Sequence, residues 1–178
     1  MSILLSKSFV LFAVAVAAGL LGRGWLSFVL AWALPGLGHW WIGERRRGVL
    51  AGGGVLGLFV CGVLIGGVDC VDQKEDGPWF LAQAWAGPVA YATDAANEWL
   101  LKTGRVGELL PSPGNPMPRP DGSRPPEPMV SSYKGLGTVN DVGTLFTALA
   151  GLMNLVVMLD AAHRARKAAE AELFGATA

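Results

Sequence analysis

Residues 34–50 read LPGLGHWWIGERRRGVL, from Leu34 to Leu50. An apolar run without a charge, Trp25 to Leu34, leads into it. Pro35 lacks an N–H, and Gly36 and Gly38 strip side chains from both flanks of Leu37, so a helix ends or kinks there. Backbone groups freed inside hydrocarbon must find partners in protein or water. The break is therefore expected near a membrane face or against a neighbouring helix. Trp40 and Trp41 suit the headgroup level, and the short loop carrying Arg45, Arg46 and Arg47 reads as cytoplasmic. Gly48 opens the next apolar run. The stretch predicts a helical hairpin with its tip in the cytoplasm.

The pattern Pro35-Gly36-Leu37-Gly38-His39-Trp40-Trp41-Ile42-Gly43, followed by Gly48, has the form PGxGHxYxGxxxxG with Trp41 in place of the aromatic Tyr. It resembles the membrane hairpin of the TM-two domain. It is closer to a bacterial membrane family of unknown function, domain of unknown function six-six-seven-seven. The segment Gly143 to Ala161 is similar to that family's closing helix. The resemblance covers about half of the chain and implies a multi-pass membrane protein of a family with no established activity.

Composition agrees with a membrane location. The 178 residues are 52% hydrophobic with a mean hydropathy of +0.41, and the 25 glycines fall largely inside the apolar runs. Small residues in such runs serve helix packing. The length suits one domain. Acids and bases balance at 14 each, yet Asp69 to Asp141 holds 10 acids and 6 bases and leaves 4 and 8 elsewhere. Bases thus flank the spans, and no basic face remains for nucleic acid. Cys61 and Cys70 read as two free thiols, because pairing them would require the chain to fold back on itself.

Four spans are expected. Ser2 to Gly22, interrupted only by Lys7, is long enough to cross; it also has the layout of a cleaved signal peptide, with Ala17-Ala18-Gly19 near the end. Gly22-Arg23-Gly24 then reads as an external turn, where Arg23 runs against the positive-inside trend. Trp25 to Ile42 is the second span and Gly48 to Val68 the third. On a wheel of 100° per residue Gly48, Gly52, Gly62 and Gly66 share one face of the third span, with Val55 and Phe59 between them. Pro78 to Ala92 is too short and too broken for a span and reads as an interfacial or re-entrant helix. Asp94 to Gly104 continues it as an amphipathic helix with Trp99 and Leu100 on the apolar side. Leu110 to Met129 holds eight of the 11 prolines and reads as extended or disordered linker. Val142 to Leu159 is the last span. Its face of Gly143, Thr147, Ala150, Gly151, Asn154 and Ala161 is expected to pack on the glycine stripe of the third, with Gly52 opposite Gly151. Asp160 to Phe174 follows as a polar helix whose bases place it in the cytoplasm.

Candidate chemistry is sparse. His39 is expected to bond backbone freed by the break. Arg45, Arg46 and Arg47 suit anionic lipid headgroups as well as topology. Asp69, Asp72, Glu75 and Asp76 fit no calcium loop and read as a solvated acidic turn. Asp141 and Asp160 bracket the last span, where water reaches them. Asn154, the one strongly polar side chain well inside a span, reads as a packing amide. No nucleophile, phosphate-loop or zinc motif occurs, so no catalytic, cofactor or metal site is expected.

The sequence therefore predicts an all-α integral membrane bundle of about four transmembrane helices, with a short cytoplasmic hairpin turn and a long external loop. Its organisation is three spans over 1–68, a loop over 69–141, and a last span with a cytoplasmic tail over 142–178. The expected role is non-enzymatic: a structural, scaffolding or partner-binding component of the cell (inner/cytoplasmic) membrane. Its expected partners are membrane lipid and other membrane proteins or further copies, with both termini cytoplasmic if the first span is kept. The alternative is a small transporter or channel subunit.

Overall fold

The computed structural model describes residues 24–111, 129–135 and 137–175. Its elements are helices α1 (Trp25–Ala33), α2 (Leu37–Trp41), α3 (Arg45–Gly66), α4 (Gly77–Gln83), α5 (Pro88–Asn97) and α6 (Thr138–Gly175), with strands β1 (Leu109–Pro111) and β2 (Met129–Ser131). The fold is all-α. The strand pair is antiparallel and three residues long, with Leu110 opposite Val130. It closes the two ends of the proline-rich segment, whose interior, with the whole of Ser2 to Gly22, lies outside the described residues.

Two helices are long and apolar enough to cross a membrane, α3 and α6. They pack antiparallel. The buried residues of α3 are Gly48, Gly52, Val55, Phe59, Gly62 and Gly66, the set that shares one wheel face. Gly62 meets Thr147 and Gly143, and Gly66 meets Gly143. Where Gly62 and Gly66 face Gly143 neither helix carries a side chain, and the two backbones approach closely. Beyond Asp160, α6 continues unbroken, giving 38 residues and a length of about 57 Å.

Positions along α6 serve as a ruler for the rest. Gly24 abuts the carbonyl of Ala162, Gly38 abuts Ala161, and His39 reaches Asp160. Between those contacts α1 runs inward, so that the Ala31 carbonyl meets Asn154. Gly36, at φ +85°, then reverses the chain against Gly48 and Gly52, and α2 returns it. Trp25 to Ile42 is thus not a span. It is a hairpin of nine-residue and five-residue helices, each too short to cross, that enters and leaves at the same end. The apolar window gave the right length, but Pro35 and Gly36 turn the chain back rather than kink it. Gly24 consequently lies at the arginine end, and the rest of the expected Gly22-Arg23-Gly24 turn lies outside the described residues. Among the described residues two helices, α3 and α6, are candidates to cross, and the expected first span, Ser2 to Gly22, lies outside those residues.

A second hairpin enters from the opposite, acidic end. Cys70 lies at the level of Thr144, whose hydroxyl donates to the Cys70 carbonyl at 3.2 Å. From there α4 runs inward until the Ala82 carbonyl presses on Gly151. A 3₁₀ turn over Ala84–Ala86 follows, Gly87 (φ +92°) reverses the chain, and α5 climbs back to Asn97 beside Asp72. Gly151 is therefore occupied by Ala82, and Gly52 by Pro35. The expected Gly52–Gly151 contact does not form because a hairpin fills each place. A single π turn, Glu98–Lys102, ends α5 and rotates the expected amphipathic face: Leu101 is buried and Trp99 is exposed beneath the Arg105 guanidinium, 4.4 Å from the ring centroid.

Candidate functional site

Three polar clusters are threaded along α6. At the arginine end, His39 is 1% exposed and its Nε2 lies 2.9 Å from Asp160 Oδ2. Close approach of α2 to α1 and α3 makes that burial possible, since a β-carbon at Gly38 or Gly48 would strike the Ser27 or Gly36 carbonyl. Asp160 also accepts from Arg164 Nε (3.1 Å to each oxygen) and from Arg47 (3.4 Å). Arg164 donates in turn to Glu44 at 3.1 Å, and Arg47 sits 3.7 Å from the same carboxylate. His39 does not bond the freed backbone of the break, as the motif alone suggests. It anchors the hairpin to the far end of the chain through a carboxylate, and its buried Nδ1 has no partner among the described residues. Asp160 is accordingly an acceptor shared by a histidine and two arginines, not a bystander in water.

Asn154 forms the second cluster. It is fully buried, and its Nδ2 donates to the Ala31 carbonyl at 3.2 Å and to the Trp85 carbonyl at 2.8 Å. One amide thus satisfies an end carbonyl from each hairpin, groups that a broken helix leaves open. Trp32 Nε1 donates across the junction to the Ala84 carbonyl at 3.2 Å, and Gly87 packs on the Trp32 carbonyl with no room for a β-carbon. The junction sits six residues from Asp160 and eleven from Gly143, about 9 and 17 Å along the helix. It is inside the apolar part of α6.

The third cluster locks the acidic end. Asp72 is buried and accepts from the N–H groups of Lys74 (2.8 Å) and Glu75 (2.9 Å), from Asn97 Nδ2 (3.2 Å) and from Lys102 Nζ (2.6 Å). Burial alone raises its carboxyl, but the Lys102 ammonium and the two backbone N–H groups outweigh that and hold it below the usual range. Burial works unopposed enough at Asp69 to push that carboxyl up, and it raises the Cys70 thiol to about 11. Lys134 pairs with Glu75 at 2.6 Å. The acidic turn is therefore solvated only in its outer part: Glu75 is exposed, whereas Asp69 and Asp72 are buried. Asp72 is a structural acceptor, folded inward because Asn97 of α5 and Lys102 of the π turn supply donors, and Asp69 faces Lys134 at 3.8 Å. Gln83 completes the set: fully buried, it donates to the Cys70 carbonyl (2.8 Å) and to Thr147 (2.9 Å).

The hairpin motif and the closing helix meet at His39 and Asp160, 121 positions apart, and one family model spans both, matching residues 26–172. The chain belongs to DUF6677, a family of unknown function. No curated protein and no solved structure matches it. In this DUF6677 chain the motif residues Pro35, Gly36, Gly38, His39 and Gly48 all sit at the seam between α1–α2, α3 and α6. Gly43, at φ +86°, faces open space at the cleft mouth, and Trp41 is exposed. Arg45, Arg46 and Arg47 line an open cleft with Gly43, Glu44 and Arg164. Cys61 and Cys70 are unpaired, the first exposed and the second buried. Gln83, Asn97, Asp72, Lys102 and the His39–Asp160 pair escape a reading of the sequence. For the pair a signal exists: a histidine in the opening motif and an acid in the closing segment of the same family.

Proposed function

We propose that this DUF6677 protein is a non-enzymatic, multi-pass component of the cell membrane that packs against a partner membrane helix or a second copy of itself. The observation that carries this reading is the closure of the bundle on Asn154, where both hairpins are pressed backbone to backbone and bonded to one side chain. A core so filled leaves recognition to the outer surface. There α3 turns Gly53, Gly54 and Gly57 to open space, while its other glycines are consumed inside. Such a face admits one more helix at close range. Arginines at one end of both crossing helices orient that end toward the cytoplasm, with the α6 tail. The test is the intact mass of the particle extracted in mild detergent. The wild type is expected to carry a further subunit that Gly53→Ile/Gly57→Ile loses without loss of thermal stability. A lone wild-type chain would sink the reading.

A second reading, a small transporter or channel subunit, draws on the same junction. Broken helices that meet inside a bundle from opposite faces are a recurrent way to build a site in transporters, and Asn154 Oδ1 is buried there without a partner among the described residues. Asn154→Leu separates the two. It leaves subunit association intact under the first reading and abolishes solute flux across vesicles under the second.

A further inference from the structure

The cleft at the arginine end goes beyond both readings. It has a volume of about 500 Å³ and is lined by Gly43, Glu44, Arg45, Arg46, Arg47 and Arg164. Two distant parts of the chain build it: the turn from α2 into α3, and the α6 tail, which contributes Arg164. The Arg164–Glu44 bond, across 120 positions, fixes one wall. Four guanidiniums line the cleft, against two carboxylates, Glu44 and Asp160. Arg47 and Arg164 take both of those. Arg45 and Arg46 have no carboxylate partner among the described residues, and Arg45 instead lies over the Trp40 ring, 6.0 Å from its centroid. The cleft thus keeps two unspent cations in a frame held by salt bridges.

We propose that this cleft holds the phosphate of an anionic membrane lipid. Planar guanidiniums offer paired N–H donors that match phosphate oxygens better than an ammonium does. The surroundings select a lipid over a soluble anion. Trp40 and Trp41 are exposed on one flank, where aromatic rings mark the headgroup level. One turn along α3 from Arg45 and Arg46, Val49 (57% exposed) and Leu50 (77% exposed) begin an uncovered apolar strip. A soluble phosphate has no use for such a strip, whereas an acyl chain lies along it. Basic residues at this depth gain attraction to anionic headgroups as well.

The test uses the full chain in nanodiscs of equal parts phosphatidylglycerol and phosphatidylcholine, with retained lipid counted by native mass spectrometry after mild release. The wild type is expected to keep phosphatidylglycerol over phosphatidylcholine by about tenfold. Arg45→Gln/Arg46→Gln, two exposed and unpaired positions, loses that preference with an unchanged melting transition. Arg45→Lys/Arg46→Lys keeps the charge without the fork and retains part of it. Equal retention of the two lipids by the wild type, or an undiminished preference in the Gln variant, overturns the proposal. So does inorganic phosphate that strips the lipid from the wild type, since the cleft then serves a soluble anion.

Discussion

The two hairpins reach the same asparagine from opposite faces, yet they are supported in different ways. At the arginine end α1–α2 is held by the absence of side chains: Gly36, Gly38, Gly48 and Gly52 let backbones touch, and one histidine pins the result to Asp160. At the acidic end α4–α5 is held by the presence of buried polar side chains, with Gln83, Asn97, Asp72 and Lys102 supplying the partners. A broken helix within an apolar bundle must have its open backbone groups satisfied. Close backbone approach fixes the packing by steric fit and tolerates almost no substitution. Side-chain bonding does it through electrostatics and is sensitive to pH.

Several substitutions break or sharpen that contrast. The largest effect is expected at the reversal points, Gly36→Val and Gly87→Val. Each combines a positive φ with a β-carbon in collision with a backbone carbonyl, and each should cost about 3 kcal/mol or more in a detergent unfolding titration. Lys102→Met comes next. It strands the buried Asp72 carboxylate, and a loss of about 2–4 kcal/mol is expected, recovered in part by adding Asp72→Asn. Asp72 also sets a pH dependence at the acidic end. Its folded value lies below the ordinary 3.8, so its stabilisation is full above that pH and lost as pH falls through the folded value. Hydrogen exchange should show α4–α5 opening on acidification, and Asp72→Asn should flatten that response. Asn154→Leu removes one bond from each hairpin, for about 1–3 kcal/mol, and should loosen both ends together. In a double-mutant cycle with alanine, Gly62 and Gly143 should couple, whereas Gly52 and Gly151 should add within about 0.5 kcal/mol. The smallest change is Gly57→Ala. With open space at that β-carbon, it should stabilise α3 by about 0.5–1 kcal/mol, unless the face is already covered by a partner.

The contrast also explains what the sequence reveals. The buried stripe of α3 and the face of α6 are legible because a crossing helix repeats its small residues at a fixed angle, and Gly48, Gly62 and Asn154 advertise it. The PGLG break is legible as a break, but an apolar window of eighteen residues cannot distinguish a chain that crosses from one that enters and returns. What decides between them is the His39–Asp160 bond, and no local pattern links residues so far apart. The acidic hairpin is harder still. Gln83 and Asn97 look like ordinary polar residues of an interfacial helix until Cys70, Thr147 and Asp72 are seen around them. Asp69 and Asp72 look solvated for the same reason, because burial is conferred by elements that follow them in the chain.

Asn154 is made long after the groups it serves: 123 residues after Ala31 and 69 after Trp85. At ribosomal rates of about 5–20 residues per second, the first hairpin waits roughly 6–25 s with that carbonyl unmet by its final partner. Closure of the fold is therefore set by the arrival of the last helix, and a chain interrupted before α6 exposes two unfinished hairpins to whatever surveys the membrane for them.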